Sequence, residues 1–310
     1  MASKRVTVFG GSGFLGRQIV KHLGAVASDI CVAVRHPERA AFLEGTGRDI
    51  RIEVVYADVW DESTVARALE RSDWVINTVG HYVEKASATF DAVHGQGALN
   101  VARQARRAGV ERLIHISGLG ADPTSDSPYV RARGTGEALV KKAFDAVTIF
   151  RPSVIFGPDD AFFNRLAAMA RRSPVLPLFG MGRTRLQPVF VENVAQACVR
   201  ALADPSTAGK VYELAGPRVY TYRALVRMVL AHLDSTCLLV PFPFFAWDAL
   251  AALLAWLPNP PLTRDQVKLM KPDNVVGEGA LTLDDLGISP DSVEEILPTY
   301  IGPDHGDSGS

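Results

Sequence analysis

The chain of 310 residues carries 33 lysine and arginine residues against 34 aspartate and glutamate residues, and 47% of its residues are hydrophobic. This length and apolar content are ample for a large core in one domain or two. The balanced charge offers no basic excess for a polyanion, so we expect no nucleic-acid partner. Three widely spaced cysteines, at positions 31, 198 and 237, are typical of reduced, buried thiols and indicate neither disulfides nor a metal site.

The first residues run directly into an apolar strand pattern, which leaves no room for a signal peptide. No apolar run reaches the length that a bilayer-spanning helix needs, so we expect no transmembrane segment. We therefore expect a cytoplasmic protein, with a peripheral position at the inner face of a membrane as the alternative.

A glycine-rich stretch, RVTVFGGSGFLG, opens the chain. Its first half is an apolar run typical of a buried parallel strand, and apolar residues then recur at helical spacing. Gly10 permits a tight turn, Gly13 lets the backbone approach a pyrophosphate, and Gly16 lets the helix pack on the sheet. Free amides at the helix start, at Phe14 and Leu15, face that turn. The stretch predicts dinucleotide binding in a doubly wound α/β fold. The alternative is a simple glycine-rich turn between a strand and a helix.

The exit of the second predicted strand, residues 30–34, selects the nucleotide. An acidic residue there would bind the ribose hydroxyls, whereas an arginine accommodates a 2′-phosphate. The exit residue is Arg35, with Arg39 close behind it, while Asp29 lies at the wrong end of the strand. We therefore predict NADP(H) in preference to NAD(H); the alternative is that Arg35 is a solvated loop cation.

The third and fourth predicted strands also end in candidate ligands. Asp58 and Val59 follow the third strand, and the Asp58 carboxylate either accepts from the adenine amino group or caps the helix predicted at residues 61–69. Val79 and Gly80 follow the fourth strand, where a small residue lets the backbone approach the cofactor.

Ser117 stands at the carboxyl end of the fifth strand, the edge at which doubly wound sheets bind ligands. A helix begins near Tyr129, and Arg133 lies one turn further on the same face. Pro152 follows the sixth strand, where the backbone could meet the nicotinamide carboxamide. His94, on an earlier helix with an apolar core stripe, is interpreted as a helix-face residue and not as a ligand.

These motifs together resemble the short-chain dehydrogenase/reductase superfamily, in its extended, atypical branch. The resemblance rests on GGSGFLG, Asp58-Val59, NTVG, Ser117, YVRAR and RPSVIFGP. Three further segments, FFNRLAAMARRSPVLPLFG, QPVFVENVAQA and PPLTRDQVKLM, are similar to the NADPH-binding accessory subunits of respiratory complex I and their bacterial relatives. The resemblance extends to residue 300.

In that superfamily a serine, a tyrosine and a lysine four residues after the tyrosine carry out the reaction. The resemblance assigns these positions to Ser117, Tyr129 and Arg133. The lysine favours the phenolate, holds the nicotinamide ribose and belongs to the proton relay, but an arginine stays protonated and cannot exchange a proton in turnover. The resemblance thus implies cofactor binding through Tyr129 and Arg133 with impaired catalysis; a working acid/base pair is the alternative.

The resemblance also implies a function and a domain plan. The protein is expected to be an NADP(H)-binding accessory or assembly factor; the rivals are an active reductase, epimerase or isomerase on a small, sugar-nucleotide or isoprenoid/quinone-related substrate, and an NADPH-binding redox sensor. We expect a doubly wound parallel sheet at residues 1–156, which 187–214 rejoin. A small, mostly helical cap is expected at 157–186 and 215–300. Residues 301–310 are expected to be a disordered tail.

One cap segment, residues 238–257, has Asp248 as its single charge and contains two prolines. Its helical part, from Phe244, is far too short to span a bilayer. Because it is apolar on nearly all sides, we predict that residues 242–257 dock on a respiratory-complex or other membrane-associated partner, or on the bilayer surface, through Trp247 and Leu254. Burial inside the cap is the alternative.

Overall fold

The computed structural model describes residues 4–44, 50–81, 89–254, 256 and 262–302. Within these ranges the strands are β1 (Arg5–Phe9), β2 (Asp29–Val34), β3 (Arg51–Tyr56), β4 (Trp74–Asn77), β5 (Arg112–Ile116), β6 (Thr148–Pro152), β7 (Ile155–Phe156), β8 (Val175–Phe179), β9 (Arg185–Leu186), β10 (Val189–Phe190), β11 (Val211–Leu214), β12 (Tyr220–Thr221) and β13 (Leu238–Phe242).

The α-helices of the described ranges are α1 (Phe14–Leu23), α2 (Glu62–Ala68), α3 (Ala98–Arg107), α4 (Pro128–Ala143), α5 (Phe163–Arg172), α6 (Val191–Ala203), α7 (Tyr222–His232), α8 (Phe244–Leu254), α9 (Arg264–Leu269) and α10 (Val293–Ile296). A π-helix, Asp91–Gly97, runs directly into α3. Short 3-10 helices lie at Pro37–Arg39, Ala41–Leu43, Gly180–Gly182, Pro205–Thr207, Asp284–Leu286 and Leu297–Thr299. Over these same ranges, no helix is both long and apolar enough to cross a membrane.

The chain divides into two compact units. Unit 1 comprises Met1–Pro152, Val191–Leu214 and Glu278–Ser289, and unit 2 comprises Ser153–Phe190, Ala215–Gly277 and Pro290–Ser310. The predicted boundaries at 156/157 and 186/187 are therefore shifted by about four residues, the one at 214/215 agrees, and the return of Glu278–Ser289 to unit 1 was not predicted. That return follows from backbone pairing, because Glu213 N donates to Leu281 O at 2.7 Å.

Unit 1 contains a parallel seven-stranded sheet in the order β11-β6-β5-β4-β1-β2-β3. The predicted doubly wound fold is confirmed. α1 and α6 pack together on one face, and α2, α3 and α4 share a core with the other face. Because helices cover both faces, apolar side chains point both ways along a strand, and Val6, Val8 and Phe9 are all fully buried. The strand order reverses beside β1, and the carboxyl ends of the strands at such a point form a binding crevice.

Unit 2 contains helices α5 and α7–α10 and three short strand pairs, β7–β10, β9–β12 and β8–β13. Its core is rich in aromatic rings, including Phe156 and Phe163, whose centroids lie 5.7 Å apart. Ile301 belongs to this core and is buried, so the expectation of a disordered tail from residue 301 is wrong at its first position, because Ile301 N also donates to Leu297 O at 3.0 Å. Residues 303–310 lie outside the described residues.

Helix α8 is buried on one side and exposed on the other. Trp247 stacks on Phe179 with ring centroids 4.0 Å apart, and Ala251 is buried beside it. The predicted docking role of Trp247 is therefore wrong, because the ring fills a small core of unit 2 and is only 9% exposed. Exposed apolar side chains form a separate group, the apolar stripe, made of Phe242, Phe245, Leu250, Leu253 and Trp256. Residue 257, the end of the predicted segment, lies outside the described residues.

Candidate functional site

The turn between β1 and α1 is shaped by its glycines. Gly10 has φ +78°, and a Cβ there would lie 2.7 Å from Thr78 Oγ1. A Cβ on Gly16 would overlap Gly10 O, so the helix can start this close to the strand only with glycine. Gly13 N donates to Gly10 O at 3.0 Å, which closes the turn.

The amino end of α1 faces this turn with free donors. The first helical bond runs from Arg17 N to Gly13 O at 3.0 Å, so the amides of Phe14, Leu15 and Gly16 form the unpaired first turn of a ten-residue helix. Such a turn attracts an anion through its N–H groups and the helix dipole. The glycine cradle and these amides together fit the pyrophosphate of a dinucleotide.

The loop after β4 is tied to the same place. Thr78 donates to Phe9 O through both its backbone N, at 3.0 Å, and its Oγ1, at 2.8 Å. Val79 N donates to Asn77 Oδ1 at 3.1 Å. A Cβ on Gly80 would lie 3.0 Å from His94 Cε1, so a small residue keeps this wall close to its neighbour.

The exits of β2 and β3 bring Arg35 next to the Asp58 loop. Arg35 is exposed, and its Cζ lies 5.8 Å from the centre of the Trp60 ring. Asp58 Oδ1 accepts from Trp60 N at 3.0 Å. The capping alternative for Asp58 is not realised, because Asp61 caps α2 by accepting from Ser63 N at 2.9 Å. Val59 is buried, and its carbonyl accepts from Asn100 Nδ2 at 2.9 Å.

Ser117, Tyr129 and Arg133 all lie on unit 1, and Ser117 precedes Gly118, which faces the Arg133 guanidinium. Ser117 N donates to Phe150 O at 2.7 Å, which fixes the residue at the carboxyl end of β5. Its Oγ is buried and has no hydrogen-bond partner within the described ranges. An orphaned hydroxyl of this kind at a binding edge fits a site that a ligand completes.

The guanidinium of Arg133 lies on the face of the Tyr129 ring, with Cζ 4.8 Å from the ring centre. A Cβ on Gly118 would overlap Arg133 Nη1, and a Cβ on Gly80 would lie 3.8 Å from Nη2. The fork of an arginine therefore fits here because residue 118 has no side chain. The cation contacts the π face of the ring, an interaction worth about 0.5–2 kcal/mol.

His94 lies beside this pair and was not predicted to belong to the site. Its ring packs edge-on against Tyr129, with centroids 5.5 Å apart, and its Nε2 lies 3.0 Å from His81 O. Burial, with the Arg133 charge as a further cause, lowers the pKa of His94 to about 3. The ring is therefore neutral at pH 7. The π-helix aims His94 at Tyr129, and the helical spacing of apolar residues gives no sign of that local widening.

A partly buried ion pair anchors the helix that carries Tyr129 and Arg133. Arg151 donates to both carboxylate oxygens of Glu137, from Nε at 2.9 Å and from Nη2 at 2.7 Å. Glu137 lies one turn after Arg133 on α4, so this fork fixes α4 to β6. The pair was not predicted, although Glu137 of the YVRARGTGE run lies four residues after Arg133 and is therefore its neighbour on the helix.

Pro152 ends β6, and its carbonyl accepts from Leu119 N at 3.0 Å. The bond ties the loop after β5 to the end of β6. All the predicted site residues thus lie on unit 1 at or after the carboxyl ends of its strands. Across the described ranges, no group of three histidine, cysteine or carboxylate side chains is placed to hold a metal ion.

The arrangement can hold a dinucleotide and orient its nicotinamide half. A bound nicotinamide cofactor would supply hydride chemistry. The chain itself supplies a phosphate cradle at α1, a cation at the exit of β2, and a serine, a tyrosine and a fixed cation near the ends of β5 and α4.

Comparisons with known proteins agree with this description. The chain matches the family described as the NAD dependent epimerase/dehydratase family over residues 6–215. It is 33% identical over 291 residues to NADH dehydrogenase (ubiquinone) 1 alpha subcomplex subunit 9, mitochondrial, of Mus musculus, over 93% of this chain and 77% of that protein. It is 32% identical over 200 residues to ceramide reductase of Caulobacter vibrioides, over 64% of this chain and 61% of that protein.

The fold is also found among solved structures. Triphenylmethane reductase from Citrobacter sp., crystallised in complex with NADP(H), matches with a TM-score of 0.75 at 19% identity, over 95% of this chain and 99% of that one. The predicted resemblance to extended short-chain dehydrogenases/reductases and to a complex I subunit is confirmed. Since the family match spans more than half of the chain, this protein belongs to the NAD dependent epimerase/dehydratase family.

Proposed function

We propose that this protein binds NADP(H) and serves as an accessory subunit or assembly factor of a respiratory complex, with little turnover of its own. The observation that carries the proposal is the place of Arg133. Its guanidinium lies over the Tyr129 ring in the space that Gly118 leaves open, where the superfamily resemblance expects a lysine.

The arginine supports binding more than catalysis. A guanidinium does not give up its proton in proteins, so it cannot pass a proton during turnover. It can still donate hydrogen bonds to a ribose hydroxyl. The neutral His94 ring next to Tyr129 adds no second charge that would favour the phenolate.

Two further observations support the cofactor and the setting. Arg35, exposed at the exit of β2, makes no ion pair with any carboxylate of the described chain, so its charge is available to a 2′-phosphate. The mouse relative is by its name a mitochondrial subunit of an NADH dehydrogenase, and the alignment with it covers 93% of this chain.

The apolar stripe of α8 and Phe242 is the surface we propose for the partner, a membrane-associated protein of such a complex. Phe245, Leu253 and Trp256 are 75%, 72% and 90% exposed. Asp248, the single charge of the segment, is paired with Lys271 at 2.8 Å. An exposed apolar strip with its charge neutralised favours an apolar protein surface over water.

Turnover and nucleotide content test the proposal. Protein purified without added nucleotide is expected to carry NADPH, identified by mass spectrometry, and to reduce generic carbonyl substrates very slowly. Arg133→Lys is expected to raise the rate while NADPH still binds; Arg131→Lys, two residues earlier and exposed, is the matched control. A wild-type kcat on the order of 10 s⁻¹, typical of enzymes, would overturn the accessory role.

An active NADP(H)-dependent reductase is the second candidate. The buried Ser117 Oγ, without a partner in the described chain, favours it, because a substrate oxygen could accept from this hydroxyl. The relative named ceramide reductase supports the same candidate function, over the 200 residues that align with it. Fast NADPH oxidation that Ser117→Ala abolishes would select this candidate.

A further inference from the structure

Among the described residues, Arg35 lies beside one aromatic ring, that of Trp60. Its guanidinium carbon lies 5.8 Å from the Trp60 ring centre, and the residue is exposed at the end of β2. A long cationic side chain at such a position would ordinarily move among many rotamers and lose that freedom when a ligand binds. A ring that holds the guanidinium beforehand reduces this loss.

The Trp60 ring is itself fixed from two sides. Its Nε1 donates to Ala92 O at 3.1 Å, which ties it to the π-helix, and its backbone N donates to Asp58 Oδ1 at 3.0 Å. The side chain also packs against the buried cluster of unit 1. The ring therefore cannot turn away from Arg35 without losing its Nε1 bond to Ala92 and its packing against this cluster.

We propose that Trp60 is a positioning residue for nucleotide specificity: its ring holds the Arg35 guanidinium at the exit of β2, ready for the 2′-phosphate that distinguishes NADPH from NADH. The inference rests on the proposed NADP(H) binding. A cation on an aromatic face keeps its N–H donors free at the edge of the fork, so the ring and a phosphate do not compete for them. The ring contact is weak and surface-exposed, so its loss corresponds to about a two- to fivefold change in affinity.

The test compares NADPH and NADH dissociation constants by calorimetry. Trp60→Leu is expected to weaken NADPH binding about two- to fivefold and to leave NADH binding unchanged, so that the ratio of the two constants falls. Trp74→Leu is the matched control, because Lys4 lies over the Trp74 ring at the same 5.8 Å at the amino end of β4. In an Arg35→Ala background, Trp60→Leu is expected to have no further effect on the ratio.

Each outcome decides the inference. If Trp60→Leu leaves the ratio of the two dissociation constants unchanged while Arg35→Ala abolishes the preference, Trp60 has no positioning role. The preference for NADP(H) would still stand. Equal weakening of both nucleotides would make Trp60 a packing residue only. Equal wild-type affinities would instead contradict the proposed NADP(H) function itself. If Trp60→Leu fails to bind NADH because it does not fold, Trp60→Met takes its place in the same comparison, because its unbranched, flexible side chain adapts better to the space the ring leaves.

Discussion

His94 and His115 carry no charge at neutral pH although both lie near Arg133. Burial is the main cause, and it lowers the pKa of His94 to about 3 and that of His115 to about 4. The Arg133 charge adds to both shifts, while Glu137 opposes the one at His115. A buried imidazole binds a proton more weakly than the same side chain in the unfolded chain. Protonation therefore favours the unfolded state, and the free energy of unfolding decreases once the pH is low enough to protonate the unfolded histidine.

This linkage predicts a loss of stability in acid. An unfolded histidine has a pKa near 6.5, so the contribution of His115 is complete above that pH and falls as the pH decreases toward 4. Between pH 7 and pH 5 the loss is about 2 kcal/mol for one histidine. We expect His115→Gln to reduce the pH dependence of the free energy of unfolding by about that amount, measured by urea denaturation at both pH values. The half-exposed His232→Gln is the control; identical pH dependence in His115→Gln and wild type would refute the linkage.

Arg35 gives the second prediction at the scale of a residue. NADPH should bind at least tenfold more tightly than NADH, since one set of charge-assisted contacts supplies about 1.5–3 kcal/mol. Arg35→Ala should remove most of that preference without weakening NADH, as measured by calorimetric titration. Arg51→Ala removes an exposed arginine at the amino end of β3, whereas Arg35 lies at the carboxyl end of β2. This control should change neither affinity. Equal affinities of the wild type for both nucleotides would contradict the assignment of Arg35.

Among the elements, α8 has a buried side and an exposed side that need separate tests. Trp247 and Ala251 are buried and hold the helix to unit 2, whereas the apolar stripe is exposed. Substitution of Trp247 would therefore open a cavity in a small core, which costs about 3–5 kcal/mol for a buried aromatic ring. A variant that tests docking must avoid it and change residues of the stripe only.

Leu253→Ser with Trp256→Ser is that variant. We expect the wild type to float with native membranes that contain respiratory complexes, and the double variant to stay in solution while its NADPH affinity is unchanged. Val219→Ser with Met169→Ser, which removes exposed apolar residues of unit 2 outside α8, is the matched control and should float like the wild type. Flotation of the wild type with protein-free phospholipid vesicles would identify the bilayer as the occupant, and failure to float with native membranes would end the docking proposal.

At the scale of the whole molecule, the division into two units predicts which unit a bound nucleotide stabilises. All the site residues belong to unit 1, so NADPH should stabilise that unit directly. At a concentration one hundred times the dissociation constant, binding adds about 2.7 kcal/mol to the stability of the folded state.

Hydrogen–deuterium exchange measures this unit by unit. With NADPH at that excess, we expect slower exchange in the segment from β1 to α1 and at the ends of β4 and β5. The β8–β13 pair of unit 2 provides the internal reference, where little change is expected. Protection confined to unit 2 would show that the nucleotide binds elsewhere.

The sequence by itself determined the elements of unit 1 and the cradle for the nucleotide. Runs such as the one ending at Phe9 are buried on both faces, so they read as parallel strands without tertiary information. Gly10 and Gly16 meet local backbone constraints, which lie within a few residues of each other and can be read from spacing. The same holds for the four-residue interval between Tyr129 and Arg133.

Only the tertiary structure decided how these parts act on one another. Gly118 leaves room for Arg133, the Trp60 ring lies beside Arg35, and Arg151 holds α4 through its ion pair with Glu137. The two residues of each pair are distant in the chain. The π-helix that places His94 beside Tyr129 packs closely on α4, since a Cβ on Gly136 would overlap His94 O. Which face of α8 is covered likewise depends on Phe179, because burial is set by contacts between segments and not by the apolar character of one segment.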